Sequence, residues 1–259
     1  MTIVLCVHLS QDKRQRFSIG NISGTNGVLC LTFDDRHFDS WTNAIPMFRK
    51  YNAKVTFYPH GNLSKEDLQR LCILHSPENG GHSIGCHTVS HSRLPSLLDK
   101  ALDFYVWYKE LRPQIKQLAS CNIKGENFAY PFNDRTKESD CFLLGYFDRL
   151  RVGIHSSYIT NHVSIVSLDD VFYPKSEVGN IRVVNSIGVG EWYQTDIQDI
   201  CKGIKRISER DEVLVLFSHG IYDDADSINM KTTWLETILE CARTNKVECL
   251  GFDDLPVNF

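Results

Sequence analysis

Short apolar runs alternate with longer amphipathic stretches from about residue 28 to the end of the chain. Runs rich in Val, Ile and Phe, bounded by Gly, Pro, Asn or Asp, fall near 28–33, 53–58, 82–86, 127–130, 151–154, 181–184, 212–217 and 247–251. That length and composition predict strands. Between them the period changes to that of a helix. Residues 64–74 open on Ser64 as a cap, and 96–119 carry Leu97, Leu98, Ala101, Tyr105, Tyr108, Leu111, Ile115 and Leu118 on one face. Pro113 should kink or split that second helix. Further helices fit 138–148, 196–209 and 231–244.

Alternating strands and helices predict a parallel sheet. With 259 residues and about seven or eight strands, the expected fold is α/β, an irregular (β/α) barrel with about seven parallel strands. An open doubly wound sheet is the alternative. No Gly-x-Gly-x-x-Gly follows the first strand and no phosphate-binding loop occurs, which removes nucleotide and dinucleotide binding. The domain reading is a single unit over 1–259. It has a polar, Gly/Ser/Asn-rich lead-in at 1–27, a motif-bearing barrel at 28–221, and a closing helix and strand at 222–259.

Composition narrows the picture. The chain is 42% hydrophobic and 23% charged, which excludes a disordered or fibrous protein. A formal charge of −4 carries no nucleic-acid footprint. No run approaches the length of a membrane span. Nine cysteines, at 6, 30, 72, 86, 121, 141, 201, 241 and 249, form an odd set with no Cys-x-x-Cys pair. That predicts free thiols in a reducing compartment rather than a disulfide framework. The N-terminal apolar run lacks a preceding basic segment and a small-residue cleavage site, so the expected location is cytoplasmic.

In a parallel barrel, chemistry collects at the C-terminal ends of the strands. The first strand ends in Asp34-Asp35, the third in His87 with His91 four residues on, and the fourth in Pro131-Phe132. The fifth ends in His155, the seventh in His219 and the last in Asp253-Asp254. Singly, each is unremarkable: an Asp pair after a strand is usually a solvated turn, and a lone His is usually structural. Together they form a titratable rim. One carboxylate with two imidazoles is a zinc set that leaves a position open for water and substrate. A neighbouring carboxylate can act as base and a histidine opposite as acid.

Three stretches, LTFDDRHF at 31–38, GHSIGCHTVSH at 81–91 and VLVLFSHGI at 213–221, resemble the motifs of the polysaccharide deacetylase family, carbohydrate esterase family 4, with its NodB-like fold. KVTFYPHG at 54–61 is similar to the family's second strand. The resemblance implies a metal-dependent hydrolase removing an N-acetyl group from an amino sugar. It implies Asp34 as general base and His219 as general acid. Asp35, His87 and His91 would be ligands of a divalent ion, most often zinc, with cobalt, nickel or iron as alternatives. The backbone N–H of Phe132 would hold the oxyanion.

Three departures stand out. In FAYPFND, at 128–134, Ala129 occupies the position of an Arg that orients the catalytic Asp. Arg135 and Arg36 are the candidates to replace it. Arg36 also replaces the usual Gly after the first motif, and the Asp-x-x-Asp-Trp motif that partners the acid His is absent. The Phe/Tyr-Pro-Phe variant resembles deacetylases of surface-polysaccharide systems, so an O-antigen or capsule intermediate is the expected substrate class. Tyr130, Pro131, Arg135, Trp192 and Tyr222 are candidate substrate contacts. His82 reads as structural, and His37, His60 and His155 as lesser rim candidates. Trp41 and Trp107 read as core, and Asp223, Asp224 and Asp226 as a solvated loop. A deformylase or other C–N hydrolase of the same fold, a non-catalytic sugar-binding domain and a scaffold are the competing readings.

Overall fold

The structure, a computed structural model, describes residues 26–100, 102–154 and 164–258. Most of the lead-in segment and His155 lie outside these residues. In chain order the strands are β1 (Val28–Asp35), β2 (Thr56–Pro59), β3 (Ser83–Ile84), β4 (Asn127–Ala129), β5 (Arg149–Gly153) and β6 (Phe172–Pro174). They continue as β7 (Val183–Gly188), β8 (Glu212–Ser218), β9 (Ile221–Tyr222), β10 (Met230–Lys231) and β11 (Glu248–Cys249).

Seven parallel strands run in the order β3-β2-β1-β8-β7-β5-β4. A parallel bridge between Cys86 and Phe128 brings the two ends of that series together. The result is a nearly closed barrel, as the alternating pattern predicts. The strands read as near-continuous apolar runs because both faces are buried. Val28, Cys30, Val184, Val213 and Val215 pack with Phe252 and Leu255 inside the barrel. The alternate residues Leu29, Leu31, Phe33, Leu214 and Leu216 pack outward against the helical layer.

The sheet splits at its lower end. β11 pairs with the start of β1, and β6 runs antiparallel to the start of β8. β6 was not expected from sequence: only three residues long, it ends in a proline. The strand expected at 181–184 lies further on, at Val183–Gly188. Because β11 sits at the lower end, the carboxylates after it are not at the rim. Asp254 pairs with Lys54 at 2.6 Å, and Asp253 takes the side-chain amide of Asn127, the first residue of β4.

The helix expected at 64–74 spans Lys65–His75 behind a Ser64/Asp67 capping box. The expected 96–119 helix is not continuous. It breaks into Leu94–Leu98, Asp103–Tyr105, a wide turn at Val106–Leu111, and Arg112–Ala119 with Pro113 in its first turn. Pro113 has no N–H to close the preceding turn, and its ring needs room there. The chain widens rather than kinks, and the Glu110 carbonyl accepts the Val89 N–H at 3.1 Å.

The free-thiol expectation is overturned. Cys72–Cys121 and Cys201–Cys241 are disulfides, and Cys141 is also disulfide-bonded. Cys72–Cys121 joins the helix Lys65–His75 to the turn after the helix Arg112–Ala119, and Cys201–Cys241 joins two helices, with sequence separations of 49 and 40, so spacing alone could not reveal them. Cys30, Cys86 and Cys249 are buried free thiols. No helix among the described residues is long and apolar enough to cross a membrane.

Candidate active site

Consecutive residues of a strand face opposite sides. Asp34 continues the inward series Val28, Cys30 and Thr32, so Asp35 should point out of the barrel. Instead Asp35 takes φ of 79°, a conformation that non-glycine residues adopt only where the surroundings hold them in it. The turn swings its carboxylate back over the rim beside Asp34.

Three imidazoles then meet one oxygen. Oδ1 of Asp35 lies 3.3 Å from His91 Nε2, 3.6 Å from His87 Nε2 and 3.9 Å from His60 Nε2. His219 Nε2 is 3.7 Å from Oδ2. The ligand atoms of Asp35, His87 and His91 all lie within 4.8 Å of one another. Oδ1 is buried and has no hydrogen-bond partner among the described residues. An orphaned carboxylate oxygen facing imidazole nitrogens at these separations fits a divalent cation between them.

The surroundings fix which nitrogen faces inward. His87 Nδ1–H donates to the Ala129 carbonyl at 2.8 Å, which leaves the Nε2 lone pair for a metal. His219 Nδ1 donates to the Ile228 carbonyl at 3.2 Å. That backbone oxygen lies where the resemblance would place the carboxylate of the missing motif, and it fixes Nδ1 as the donor. Trp41 Nε1 donates to the His219 carbonyl at 2.9 Å and anchors the backbone of the same residue.

The loop carrying His87 and His91 hangs from two buried side chains on the wide-turned helix. Gln114 accepts the His87 N–H at 2.9 Å and donates to the Pro59 carbonyl at 2.5 Å. Glu110 accepts the Ser90 N–H at 2.8 Å and its hydroxyl at 2.7 Å. Their spacing of four places both on one helical face, yet neither carries a recognisable motif.

The charge missing at Ala129 comes from Arg151. Its Nη2 bonds Asp34 Oδ2 directly, and both side chains are buried. Nη1 reaches Asn133 Oδ1 at 3.3 Å, which also accepts the Gly153 N–H at 2.7 Å. Neither sequence candidate supplies this charge. Arg36 pairs with Asp67 at 2.6 Å, and Arg135 is locked onto Asp140 at 2.8 Å and 2.9 Å. Among the described residues Asp34 Oδ1 is buried without a hydrogen-bond partner, while Arg151 holds the other oxygen.

Electrostatics follow from this crowding. Burial alone would raise the Asp35 pKa. Contact with His87 and the fields of His219, His87 and His91 outweigh it and hold the carboxyl well below its usual range. Burial lowers the His219 pKa, opposed by Asp34 and Asp35. Burial likewise lowers His91, with His87 adding to the effect, and takes His60 down to about 4.

The remaining candidates divide. Phe132 sits at the rim with φ of 57°, its ring 4.4 Å from the His91 ring and under the Arg93 guanidinium. Trp192 is 68% exposed. Tyr222 is half-exposed, with its hydroxyl 2.9 Å from His37 Nδ1, at the edge of a cavity of about 480 Å³ beside Arg36. Tyr130 and Pro131 are corrected: both are buried, and the Tyr130 hydroxyl donates to Asp140 at 2.7 Å, away from the metal ligands. His82 is fully buried between Phe48 and Phe57, its Nδ1 accepting the Val55 N–H, a structural role. Trp41 is core as expected, while Trp107 is only partly buried, stacked on Tyr146.

Residues 22–140 match the polysaccharide deacetylase family model. A chitin deacetylase of Arthroderma benhamiae is 32% identical over 72 residues, 28% of this chain and 19% of the relative's length. The chitin deacetylase of Colletotrichum lindemuthianum superposes with a TM-score of 0.55 at 12% identity, over 90% of this chain and 88% of its own. A CE4 family pseudoenzyme from Bacillus anthracis gives 0.54 at 12% identity, over 90% of this chain and 66% of its own. The sequence match supports the polysaccharide deacetylase family, and the structural neighbours establish its NodB-like barrel fold. They do not by themselves decide activity.

Proposed function

We propose that this protein is a metal-dependent hydrolase that removes the N-acetyl group from an amino sugar of a glycan. The observation that carries the reading is the convergence of Asp34, Asp35, His87, His91 and His219 on one rim, each side chain oriented by a partner or by the backbone. Asp35, His87 and His91 would hold a divalent ion, zinc on the chemistry of the donor set. When bound, such an ion polarises the amide carbonyl and makes water a better nucleophile near neutral pH.

The chain's own residues supply the proton movements. Asp34 Oδ1 takes the proton of the attacking water while Arg151 holds Oδ2. His219, on the opposite side, delivers a proton from Nε2 to the departing amine. The Phe132 backbone N–H would receive the developing oxyanion, a contribution of a few kcal/mol where such donors are preorganised. Trp192 and Tyr222 offer exposed aromatic faces for sugar rings. Acetate and a free amine result.

The relatives named for chitin deacetylation support an N-acetylglucosamine-type substrate. A surface polysaccharide is the biological setting we favour. The disulfides support an oxidising compartment over the cytoplasmic setting read from the sequence.

The test is amine release from N-acetylated chitooligosaccharides by zinc-loaded protein, beside Asp34→Asn. Release by the wild type and its loss in the variant is the expected result. The pseudoenzyme neighbour favours one second reading, a domain that binds a glycan without cleaving it. Zinc bound at one ion per chain, with sugar binding but no amine release on any acetylated glycan tried, would establish that reading instead.

A further inference from the structure

We infer that Glu110 is a positioning residue of the metal centre: by holding Ser90 it fixes the backbone turn that presents His91. The inference rests on the metal reading above. The two imidazoles proposed there as ligands are not held alike. His87 is tied at both ends, its Nδ1 to the Ala129 carbonyl at 2.8 Å and its N–H to the Gln114 side chain at 2.9 Å. Nδ1 of His91 has no hydrogen bond among the described residues. The His91 ring lies against two others, 4.7 Å from that of His60 and 4.4 Å from that of Phe132. Its side chain is 23% exposed, against 2% for His87. With no bond on the ring to aim Nε2, the aim depends on the backbone that carries it.

That backbone does not hold its own shape. Thr88 takes φ of 64° and His91 φ of 52°. The left-handed region is uncommon for any residue with a side chain and an outlier for a β-branched one. Two such residues in one short turn persist only where the surroundings over-determine them. The bonds that do so here come largely from one helix. The Val89 N–H donates to the Glu110 carbonyl at 3.1 Å. The Ser90 N–H and hydroxyl donate to the Glu110 carboxylate at 2.8 Å and 2.7 Å. Glu110 therefore takes three donors from the two residues immediately before His91. Gln114, one turn on, takes the His87 N–H and donates to the Thr88 carbonyl at 3.4 Å.

The Glu110 side chain is 2% exposed. Among the described residues its carboxylate bonds Ser90 alone, and no cation pairs with it. A buried carboxylate is costly without such a partner. Both of its oxygens are spent on the residue beside His91, so the turn is what this side chain holds.

The test is the zinc affinity of the whole chain, measured by competition with a chromogenic chelator. The visible spectrum of the cobalt-loaded protein reports ligand geometry beside it. In Glu110→Ala we expect zinc affinity lowered about 10–100-fold and an altered cobalt spectrum. Glu110→Gln can still accept the Ser90 N–H and donate to its hydroxyl, so both readouts should return toward wild type. A residue that only braces the fold would lower stability and leave both readouts of the folded protein unchanged. That result overturns the inference and leaves the deacetylase reading intact. Equal loss in the glutamine and alanine variants overturns it too, because the metal would then sense the charge rather than the hold on Ser90. If the alanine variant does not fold, Glu110→Asp decides in its place, since it keeps the charge but withdraws the carboxylate by one carbon. Lost affinity there supports the inference, and wild-type affinity overturns it. Failure of the wild type to bind zinc, with His87→Ala no different, overturns both readings.

Discussion

Arg149 and Arg151 stand two residues apart on β5, face the same barrel interior and are both fully buried. Their partners differ in kind. Among the described residues Arg149 donates only to backbone carbonyls, those of Ile181, Val178 and Pro256 at 3.1, 3.2 and 2.8 Å, with Phe252 at 3.5 Å. It ties the C-terminal segment to the lower end of the barrel, and burial lowers its pKa. Arg151 meets the carboxylate of Asp34 and the side chain of Asn133 at the rim. The same residue type on one strand and one face is a structural bolt below and a site component above. Burial of a charge does not mark function. What marks it is a partner with a second, unoccupied oxygen.

The sharpest way to break this comparison is at that oxygen. Asp34→Asn keeps the shape and an acceptor for Arg151 but removes the proposed base. Turnover should fall by about 10³–10⁴, with zinc content by elemental analysis unchanged. A variant that retains wild-type turnover would remove Asp34 from the proposed chemistry.

Arg151→Met leaves Asp34 buried beside no cation. We expect a loss of about 3–5 kcal/mol in stability by urea unfolding, together with loss of activity. Adding Asp34→Asn should restore much of the stability and none of the turnover. Stability and activity recovering together would contradict the assignment.

Arg149→Met strands several buried carbonyls. It should lower stability by about 2–3 kcal/mol while the folded fraction keeps a near-normal kcat. A large fall in kcat at full folding would show that the lower arginine also serves the site.

A stability effect of similar size, seen only on acidification, comes from a buried basic group that stays neutral. Burial takes His82 down to about 4 from its usual 6.5, so the unfolded chain binds more protons between these values. Stability should therefore be complete above about pH 6.5 and decline as pH falls toward 4. The His82 share is about 3 kcal/mol by linkage. Urea titrations at pH 7.5 and 4.5 should show a shallower decline in His82→Asn. An equal decline in the variant would shift the acid sensitivity to other groups, His60 among them.

Much of the site was legible because it is local. The Asp-Asp pair at the end of β1, the His87/His91 spacing and His219 after β8 each sit at the end of an apolar run, and a parallel barrel brings such ends together. Arg151 was visible only in retrospect. Arg149 and Arg151 alternate within an apolar strand, a pattern that points both side chains inward. A strand boundary drawn at 151 hid the pair. The Glu110 and Gln114 supports had no signal at all, because Pro113 was read as a helix break rather than as the cause of a widened turn. The disulfides escaped for a related reason: cysteine spacing says nothing about which helices pack together.

What the sequence determined by itself is the inventory: alternating strands and helices, two apolar faces per strand, and carboxylates and imidazoles at the strand ends. Period and local composition are enough for that. Tertiary structure alone decided the pairings. Asp34 and Arg151 are 117 residues apart, and Asp35 joins the candidate ligand set only because its backbone leaves the strand alternation. His219, the proposed acid, is oriented by the Ile228 carbonyl, a group which every residue possesses and no motif can flag. Partners of this kind depend on strand order and register, non-local properties that become physical only when the barrel closes.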